Sequence, residues 1–283
     1  MRIANVDGRV KLLVAGGAVD VEATSSGRFT ADPQAVYERF EELSDWATTV
    51  RGPTEEFSPE MAGPPSPAPR QVFAIGLNYL DHAAESGFEV PTQPVVFPKY
   101  VSSFSGPVSE VVLPDGSVDW EVEVVAVIGR TARNVPVERG WEYVAGLTAG
   151  QDISERALQR SGPAPQFGLA KSFPGFSPMG PSLVTPDELE DPDDLALGCE
   201  VNEETMQQGR SSDMIFAIPE LVSYLSGIVT LYPGDVIYTG TPPGVGMGRI
   251  PPVYLREGDH LHSWIEGLGE LRQHFVSSST GKG

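Results

Sequence analysis

The segment that decides the fold is DWEVEVVAVIG, at residues 119–129. Because side chains alternate along a β-strand, one face of this segment is wholly apolar, and the other carries Glu121 and Glu123 followed by Val125 and Val127. Burying two like charges is costly unless a cation compensates them. The pattern therefore favours one of two interpretations. Either a buried strand holds a hard divalent cation, or an edge strand carries two solvated glutamates.

Short apolar segments of the same kind recur from residue 71 onward, and glycine and proline turns separate them. The chain has 283 residues, of which 31 are glycine and 26 are proline. Together these make about a fifth of the chain, well above the ~12% of an average protein. Such a composition favours short strands and turns over a helical bundle. We therefore predict an α+β fold that is predominantly β, with a mixed, roll-like or barrel-like sheet.

The N-terminal part has its own turn and helix signals. Asp7 and Gly8 separate two short apolar segments and predict a hairpin over residues 1–15. Asp32 and Pro33 predict the start of a helix, since aspartate caps and proline suits the first helical position.

A proline-rich stretch divides the chain. Residues 52–69 contain six prolines and two glycines, which is typical of a linker. We predict a small N-terminal domain with this linker over residues 1–69, a main domain over residues 70–276 and a flexible tail over residues 277–283.

The charge balance limits the partners. Aspartate and glutamate number 39 against 19 lysines and arginines, which gives a formal charge of −20. Nucleic acid and anionic membranes reward basic surfaces, so we predict neither as a partner, although a local basic pocket can still bind a small anion. Residues 187–194 hold six acids and predict a solvated loop. No signal peptide or long apolar span is visible, which predicts a cytoplasmic protein. The one cysteine, Cys199, excludes a disulfide framework and fits a buried strand.

Two further motifs carry groups suited to acid–base chemistry. His82 and Glu85 are three residues apart in a predicted helix, so they share a face, and a carboxylate that orients an imidazole makes a general base. A surface ion pair is the alternative. Asp152 follows an apolar strand and is a third candidate carboxylate, with a helix cap as the alternative. His260 and His262 point the same way on a strand, and we expect them to be exposed.

Three basic residues lie in otherwise apolar segments and are candidates for binding an anionic ligand, namely Lys99, Arg156 and Lys171. The segment YTGTPPGVG at residues 238–246 ends a strand in a loop that can offer backbone N–H groups and a hydroxyl to an anion. It lacks the lysine of a phosphate-binding loop, so a nucleotide site is not expected.

Taken together, these segments resemble the fumarylacetoacetate hydrolase family from about residue 71 to residue 275. Eight motifs occur in the family's order: GLNYLDHAAE (76–85), PVVFPK (94–99), DWEVEVVAVIG (119–129), QDISERALQ (151–159), AKSFPGFSPMGP (170–181), VNEETMQ (201–207), LYPGDVIYTGTPPGVG (231–246) and EGDHLHSWIEGLGEL (257–271).

The resemblance implies roles for specific residues. It implies that Glu121, Glu123 and Asp152 bind Mg²⁺ or Mn²⁺, with Ca²⁺ as a substitute in a crystal. It implies that His82 and Glu85 form a catalytic dyad. The residues that it places against the substrate are Arg156, Gln159, Lys171 and Thr241, and we add Lys99. It also implies a β-roll with a small N-terminal domain, usually as a homodimer.

The chain departs from the family pattern at a few positions, which are Gln151, Glu155, Ala157, Pro174 and Glu203. These departures bear on substrate identity more than on activity, because the metal ligands, the dyad and Lys171 are all retained.

The resemblance implies an enzyme of aromatic catabolism that hydrolyses a carbon–carbon bond in an acylpyruvate-type 2-oxo acid through an enolate stabilised by the metal. Lys171 would add positive charge near that enolate. One alternative uses the same site for decarboxylation of oxaloacetate or for isomerisation or hydration of a dienedioate. The other is a non-catalytic protein that binds a metabolite.

Overall fold

The strands form two mixed sheets and one short pair in a computed structural model that describes residues 1–51, 54–85, 87 and 89–277. The strands are β1 Arg2–Val6, β2 Arg9–Val14, β3 Gly17–Asp20, β4 Ala62–Gly63, β5 Val72–Gly76, β6 Val95–Pro98, β7 Phe104–Ser105, β8 Val108–Leu113, β9 Val118–Asp119, β10 Val122–Ile128, β11 Val144–Gln151, β12 Ser154–Glu155, β13 Ser177–Val184, β14 Ala196–Val201, β15 Glu204–Arg210, β16 Val236–Tyr238, β17 His260–Ile265 and β18 Gly269–Ser277. The helices are α1 Val21–Thr24, α2 Phe40–Ala47, α3 Leu80–Glu85, α4 Arg156–Gln159, α5 Phe167–Ala170 and α6 Ile218–Ile228.

The larger sheet has the order β3-β2-β1-β13-β11-β10-β16-β5-β6, with β4 paired to β1 and β7 paired to β13. Its pairs are antiparallel except for β5 with β16 and β7 with β13. The smaller sheet has the order β15-β14-β17-β18-β8 and joins β8 to β18 in parallel. Strands and mixed sheets dominate and the helices are short, so the predicted fold class is confirmed.

Strand β10 lies inside the larger sheet and is buried along its whole length. Val122 and Val124 pack into an apolar core that also takes in residues of the smaller sheet. Val125 and Val127 pack into a second core on the opposite face. This is the alternation predicted from the sequence, and the edge-strand alternative is wrong because β11 and β16 pair with β10 on both sides.

The N-terminal strands extend the larger sheet, since β1 pairs with β13. The hairpin predicted at Asp7 and Gly8 is confirmed, and both turn residues have the positive φ that such a turn needs. Asp32 accepts backbone hydrogen bonds just before a short 3-10 turn at Ala35–Arg39, which leads into α2. Residues of the N-terminal part and of the rest of the chain share the second core.

The domain boundaries remain a prediction, apart from two details. Gly52 and Pro53 of the predicted linker lie outside the described residues. Ser277, which the sequence placed in the tail, is the last residue of β18, and residues 278–283 lie outside the described part. Among the described helices, none has the length and apolar character needed to cross a membrane.

Candidate active site

The three candidate metal ligands lie together at one end of β10 and β11. Glu121 precedes β10, Glu123 lies within it, and Asp152 directly follows β11. Val122 pairs with Gln151 across the two strands, and the Asp152 N–H donates to the Glu121 carbonyl at 2.9 Å. One carboxylate oxygen of each acidic residue lies within 4.8 Å of the other two, and all three residues are buried. We call these three residues the acidic triad.

Three buried cationic side chains surround the acidic triad. The Lys171 Nζ donates to Glu121 and to Asp152, each at 2.6 Å. The Arg156 Nη1 donates to Glu121 at 2.7 Å. The Lys99 Nζ pairs with the other oxygen of Asp152 and donates to the Lys171 carbonyl. Two of the three carboxylates are therefore compensated by protein cations.

Glu123 differs from the other two, because none of the ion pairs in the described part includes it. Its carboxylate accepts one hydrogen bond, from the Gly240 N–H at 2.8 Å. Gly240 has φ +100, and a Cβ there would lie 2.7 Å from the Asn78 Cβ, so only glycine brings this N–H into place. Burial, and then the charges of Asp152 and Glu121, raise the pKa of Glu123 well above its ordinary value.

The uncompensated carboxylate of Glu123 allows a test of whether these residues fit the divalent cation that the resemblance implies. Three converging carboxylates supply the hard oxygen ligands that Mg²⁺ and Mn²⁺ prefer. A divalent cation among them would also offset the charge that Glu123 leaves unbalanced. The residues present therefore fit a divalent cation.

The paired groups keep their charges at neutral pH. Burial alone would raise the pKa of Glu121, but Lys171 and Arg156 outweigh it and lower that pKa to about 2. Burial alone would lower the pKa of Lys171, but Asp152 and Glu121 outweigh it and raise that pKa. Lys99 differs, since burial dominates and lowers its pKa. Lys171 thus holds a fixed positive charge beside the triad.

His82 and Glu85 form the predicted pair on helix α3. The His82 Nδ1 lies 2.9 Å from a Glu85 oxygen, and the same carboxylate accepts the Gly244 N–H at 2.9 Å. Because a carboxylate only accepts, we assign the proton to Nδ1, which leaves Nε2 as an acceptor. His82 is buried, so the alternative of an exposed surface pair is wrong.

One cavity brings most of the predicted site residues together. Its walls include six of them, which are His82, Glu121, Arg156, Gln159, Lys171 and Thr241. Arg156 is the most constrained, since its Nε bonds to Asp119 at 2.8 Å and its Nη1 bonds to Glu121 and to Gln159 at 3.0 Å. Its Nη2 is buried and has no hydrogen-bond partner among the described residues. An unpaired buried donor is costly, so this atom is suited to a bound anion.

The remaining predicted substrate residues differ in their surroundings. The Thr241 hydroxyl donates to the Val122 carbonyl at 2.8 Å and accepts from Gln207 at 2.8 Å, so the strand end fixes it in the cavity wall. Lys99 lies behind Asp152 and is not part of that wall. A substrate contact for Lys99 stays a prediction, and its position favours balancing the charge of Asp152.

Asp119 is a site residue that the sequence reasoning missed. It is fully buried and accepts the Arg156 Nε at 2.8 Å, the Gly246 N–H at 2.7 Å and the Met247 N–H at 2.9 Å. It therefore ties the cavity's buried arginine to the loop after β16. The signal was present in the opening segment, because Asp119 has the same parity as the two glutamates that follow it.

Two of the departures from the family pattern have structural roles. The Gln151 amide oxygen accepts the Glu121 N–H at 2.8 Å, and its nitrogen donates to the Ser263 hydroxyl at 2.8 Å. Glu155 caps α4 by accepting the Ala157 N–H at 3.0 Å.

Burial and hydrogen bonding define the roles of four further residues, which are Asp152, Cys199, His260 and His262. Asp152 does not cap α4, because Glu155 does. Cys199 is buried in the core, as predicted. His260 is exposed and His262 is partly exposed at the surface of β17, also as predicted.

Comparisons with known proteins point to one family. A family model described as fumarylacetoacetate (FAA) hydrolase C-terminal matches residues 71–276. A mitochondrial oxaloacetate tautomerase from Homo sapiens is 45% identical over 209 residues, which cover 73% of this chain and 67% of that protein.

Solved structures resemble the chain over almost its whole length. A crystal structure of a protein from Mycobacterium smegmatis is 56% identical, with a TM-score of 0.95 over 99% of this chain and 100% of that one. A maleylpyruvate hydrolase from a Sphingobium species is 28% identical, with a TM-score of 0.79 over 99% of this chain and 100% of that one. The crystal structure of that hydrolase holds manganese(II) and pyruvate.

Proposed function

This chain belongs to the fumarylacetoacetate hydrolase family, and on that premise we propose that it hydrolyses a carbon–carbon bond in an acylpyruvate-type 2-oxo acid with Mg²⁺ or Mn²⁺. One observation carries the proposal. One cavity is lined by Glu121 of the acidic triad, by His82 and by Arg156, whose buried Nη2 has no hydrogen-bond partner among the described residues. An anionic 2-oxo acid can therefore meet a cation site, an arginine donor and a general base in one place.

The cation would be held by Glu121, Glu123 and Asp152. When bound, it supplies Lewis-acid charge to the oxygens of a 2-oxo acid. The manganese(II) and pyruvate in the Sphingobium hydrolase support this assignment. The uncompensated carboxylate of Glu123 supports it independently, from this chain's own residues.

Arg156 and Lys171 would bind and orient the substrate. The free Nη2 of Arg156 donates to the substrate carboxylate, while the bonds to Asp119 and Glu121 hold the guanidinium still. Lys171 places a second positive charge in the same wall. Because both charges are buried and fixed before the substrate arrives, they stabilise developing negative charge without reorganisation.

His82 would be the general base. Its Nε2 takes a proton from water, and the water oxygen bonds to the distal carbonyl carbon of the substrate. The carbon–carbon bond then breaks, its electron pair passes to the pyruvate-type fragment as an enolate, and the proton that His82 Nε2 took from water completes that fragment. Glu85 keeps the Nδ1 proton in place and stabilises the imidazolium that forms.

A second candidate is keto–enol interconversion of oxaloacetate on the same residues. The observation that favours it is the 45% identity to the human oxaloacetate tautomerase. This reaction needs only proton transfer beside a 2-oxo acid, so His82, Arg156 and Lys171 would serve it without the attack of water.

The deciding experiment is a substrate panel assayed with Mg²⁺, with Mn²⁺ and with EDTA. It contains an acylpyruvate, enol-oxaloacetate and keto-oxaloacetate, and pyruvate, CO₂ and enol absorbance are followed separately. We expect turnover of the acylpyruvate that EDTA abolishes and that either ion restores. Oxaloacetate tautomerisation alone would select the second candidate, and CO₂ release would select decarboxylation.

A pair of histidine variants separates catalysis from stability. His82→Asn removes the base, and we expect hydrolysis to fall about 100- to 10,000-fold. His260→Asn alters an exposed histidine of β17 and should leave the rate unchanged. Protein that binds the panel compounds but converts none of them, with either ion, would instead support the non-catalytic alternative. Homodimer formation, the cytoplasmic location and the absence of a nucleic-acid or membrane partner stay predictions.

A further inference from the structure

The segment that carries Glu121 and Glu123 extends beyond the end of the strand that pairs with β10 on one side. In the described part of the chain, β16 pairs with β10 from Val125 to Val127 and ends at Tyr238. Val122, the residue between the two glutamates, therefore lies past the end of β16. Val122 is fully buried, and an unpaired buried backbone group is costly, so its N–H and its carbonyl need other partners on this side.

Two side chains take the place of a strand at Val122. The Gln207 Oε1 accepts the Val122 N–H at 3.0 Å, and the Thr241 hydroxyl donates to the Val122 carbonyl at 2.8 Å. The Gln207 Nε2 donates to the Thr241 Oγ1 at 2.8 Å, which closes a ring of three hydrogen bonds through Val122. We call this arrangement the Val122 ring. It joins β10 to β15, which carries Gln207, and to the loop after β16, which carries Thr241.

The amide of Gln207 uses its full hydrogen-bonding capacity. Gln207 is only 1% exposed, and its Oε1 also accepts from the Cys199 Sγ at 3.3 Å. The second Nε2 hydrogen goes to the Pro242 carbonyl at 2.7 Å. Because a side-chain amide has two donor hydrogens and an oxygen that accepts twice, these four bonds fix its orientation. A methionine at this position would have a similar size but would make none of the four bonds.

The loop after β16 also supplies backbone N–H groups to three carboxylates of the site. These belong to Glu123, Glu85 and Asp119, which serve the acidic triad, the proposed base and the buried arginine. The loop lies directly against β15, since a Cβ at Gly244 would lie 2.2 Å from a backbone oxygen of that strand. Gln207 therefore anchors a loop that contacts every working part of the site.

We propose that Gln207 is a positioning residue for the divalent cation, and that it acts through Val122 on the two glutamates at either side. This inference rests on the proposed function, since it takes the acidic triad as the site of the cation. Gln207 is not among the residues that line the cavity, so it has no direct part in binding the substrate.

The physical reason is the repulsion within the acidic triad. Its three carboxylates have oxygens within 4.8 Å of one another, and like charges at this separation repel unless an ion lies between them. A backbone that can shift would let Glu121 and Glu123 move apart, and the ion would then have to draw them together again. The Val122 ring keeps the ligands converged, and outer hydrogen-bond partners of this kind typically change metal affinity 10- to 100-fold.

The test uses Mn²⁺ as the probe and compares four variants with wild-type protein. Gln207→Met removes the amide and keeps the size of the side chain. Gln208→Met makes the same change at the next residue of β15, which is exposed, and is the matched control. Thr241→Val removes the hydroxyl of the Val122 ring, whereas Thr241→Ser keeps it. The readouts are calorimetric binding of Mn²⁺ to metal-free protein, unfolding in urea, and the Mn²⁺ concentration that gives half-maximal turnover.

We expect Gln207→Met to bind one Mn²⁺ per chain about 10- to 100-fold more weakly than wild-type protein. Half-maximal turnover should need correspondingly more Mn²⁺, while kcat at saturating Mn²⁺ falls much less. A variant that is only less stable would lose folded protein, and hence the number of ions bound, without losing affinity. Gln208→Met and Thr241→Ser should keep the wild-type Mn²⁺ affinity, and Thr241→Val should lose it to a similar extent as Gln207→Met.

Two results would overturn the inference, and they differ in what else they remove. If wild-type protein binds Mn²⁺ and folded Gln207→Met binds it equally well, the positioning role is wrong and the proposed function stands. Thr241→Val decides in the same way if Gln207→Met does not fold. If wild-type protein binds no Mn²⁺, both the positioning role and the proposed metal-dependent function are wrong.

Discussion

Two acidic regions of this chain use their carboxylates in opposite ways. Residues 187–194 crowd six acids into a mostly exposed loop. Their ion pairs are solvent-exposed. Asp194, for example, lies 2.6 Å from the Arg210 Nε, and both side chains are more than a third exposed. The acidic triad and Asp119 place four carboxylates in the interior instead, where each accepts at least one hydrogen bond from a buried protein group.

A high density of acidic residues therefore does not identify a binding site, whereas a buried carboxylate without a cationic partner does. In the loop, water and salt screen each carboxylate. In the interior, Asp119, Glu121 and Asp152 are paired with lysines or arginines, whereas Glu123 has no cationic partner among the residues that the structure describes. A buried anion without a cation marks where a ligand of positive charge belongs.

The largest stability effect should come from breaking a buried pair. Lys99→Met leaves Asp152 with only one of its two lysines. Because this leaves the buried carboxylate of Asp152 only partly compensated, we expect the free energy of unfolding to fall by up to about 3–5 kcal/mol. Urea unfolding in EDTA measures it. A loss no larger than that of a surface variant would contradict the view that the interior charges are mutually balanced.

A smaller effect of opposite sign should come from Glu123. Glu123→Gln removes a buried carboxylate whose pKa lies well above its ordinary value of 4.5. A carboxyl whose pKa is raised in the folded protein opposes folding at every pH at which the same group is ionised in the unfolded chain, so Glu123→Gln should be more stable than wild-type protein at pH 7. The gain should disappear below about pH 4.

The matched control for the sign of this stability change is Glu121→Gln, two residues before Glu123 and just outside β10. The pKa of Glu121 is lowered to about 2, so its stabilising contribution is present above 4.5 and is lost as the pH falls toward 2. Glu121→Gln should therefore destabilise metal-free protein at pH 7. If Glu121→Gln and Glu123→Gln changed the free energy of unfolding at pH 7 by the same amount and with the same sign, the distinction between the two glutamates would be wrong.

The smallest effect should come from the exposed loop. Arg210→Met removes the cation that pairs with Asp194. Surface pairs of this kind contribute little, so we expect no resolvable change in the urea midpoint and none in turnover. A large loss here would show that the loop, too, depends on fixed charge balance.

Local sequence patterns predicted the parts of the fold and site that depend on near neighbours. Alternation in β10 predicted which side chains share a face, and the spacing of His82 and Glu85 predicted their contact. The turn at Asp7 and Gly8 was predicted for the same reason, because the conformation of a tight turn is set by its own residues.

Features that depend on long-range pairing could not be derived in this way. The register of β10 against β11 decides that Asp152 meets Glu121, and no local pattern encodes it. The burial of Lys99 depends on packing against a segment 72 residues away. Strands β8 and β15 were also not predicted, since their exposed faces weaken the apolar pattern. Helix α6 was not predicted either, although one of its faces is apolar and buried.

We propose that the acidic triad holds a divalent cation and that Glu123, the carboxylate without a protein cation among the described residues, is essential for its binding. Calorimetric titration of Mn²⁺ into metal-free protein tests this, with Glu123→Gln beside the loop control Asp191→Asn. We predict one ion per chain in wild-type protein and in the control, and binding weakened by at least about 100-fold in Glu123→Gln. Equal Mn²⁺ affinity in all three proteins would contradict the account.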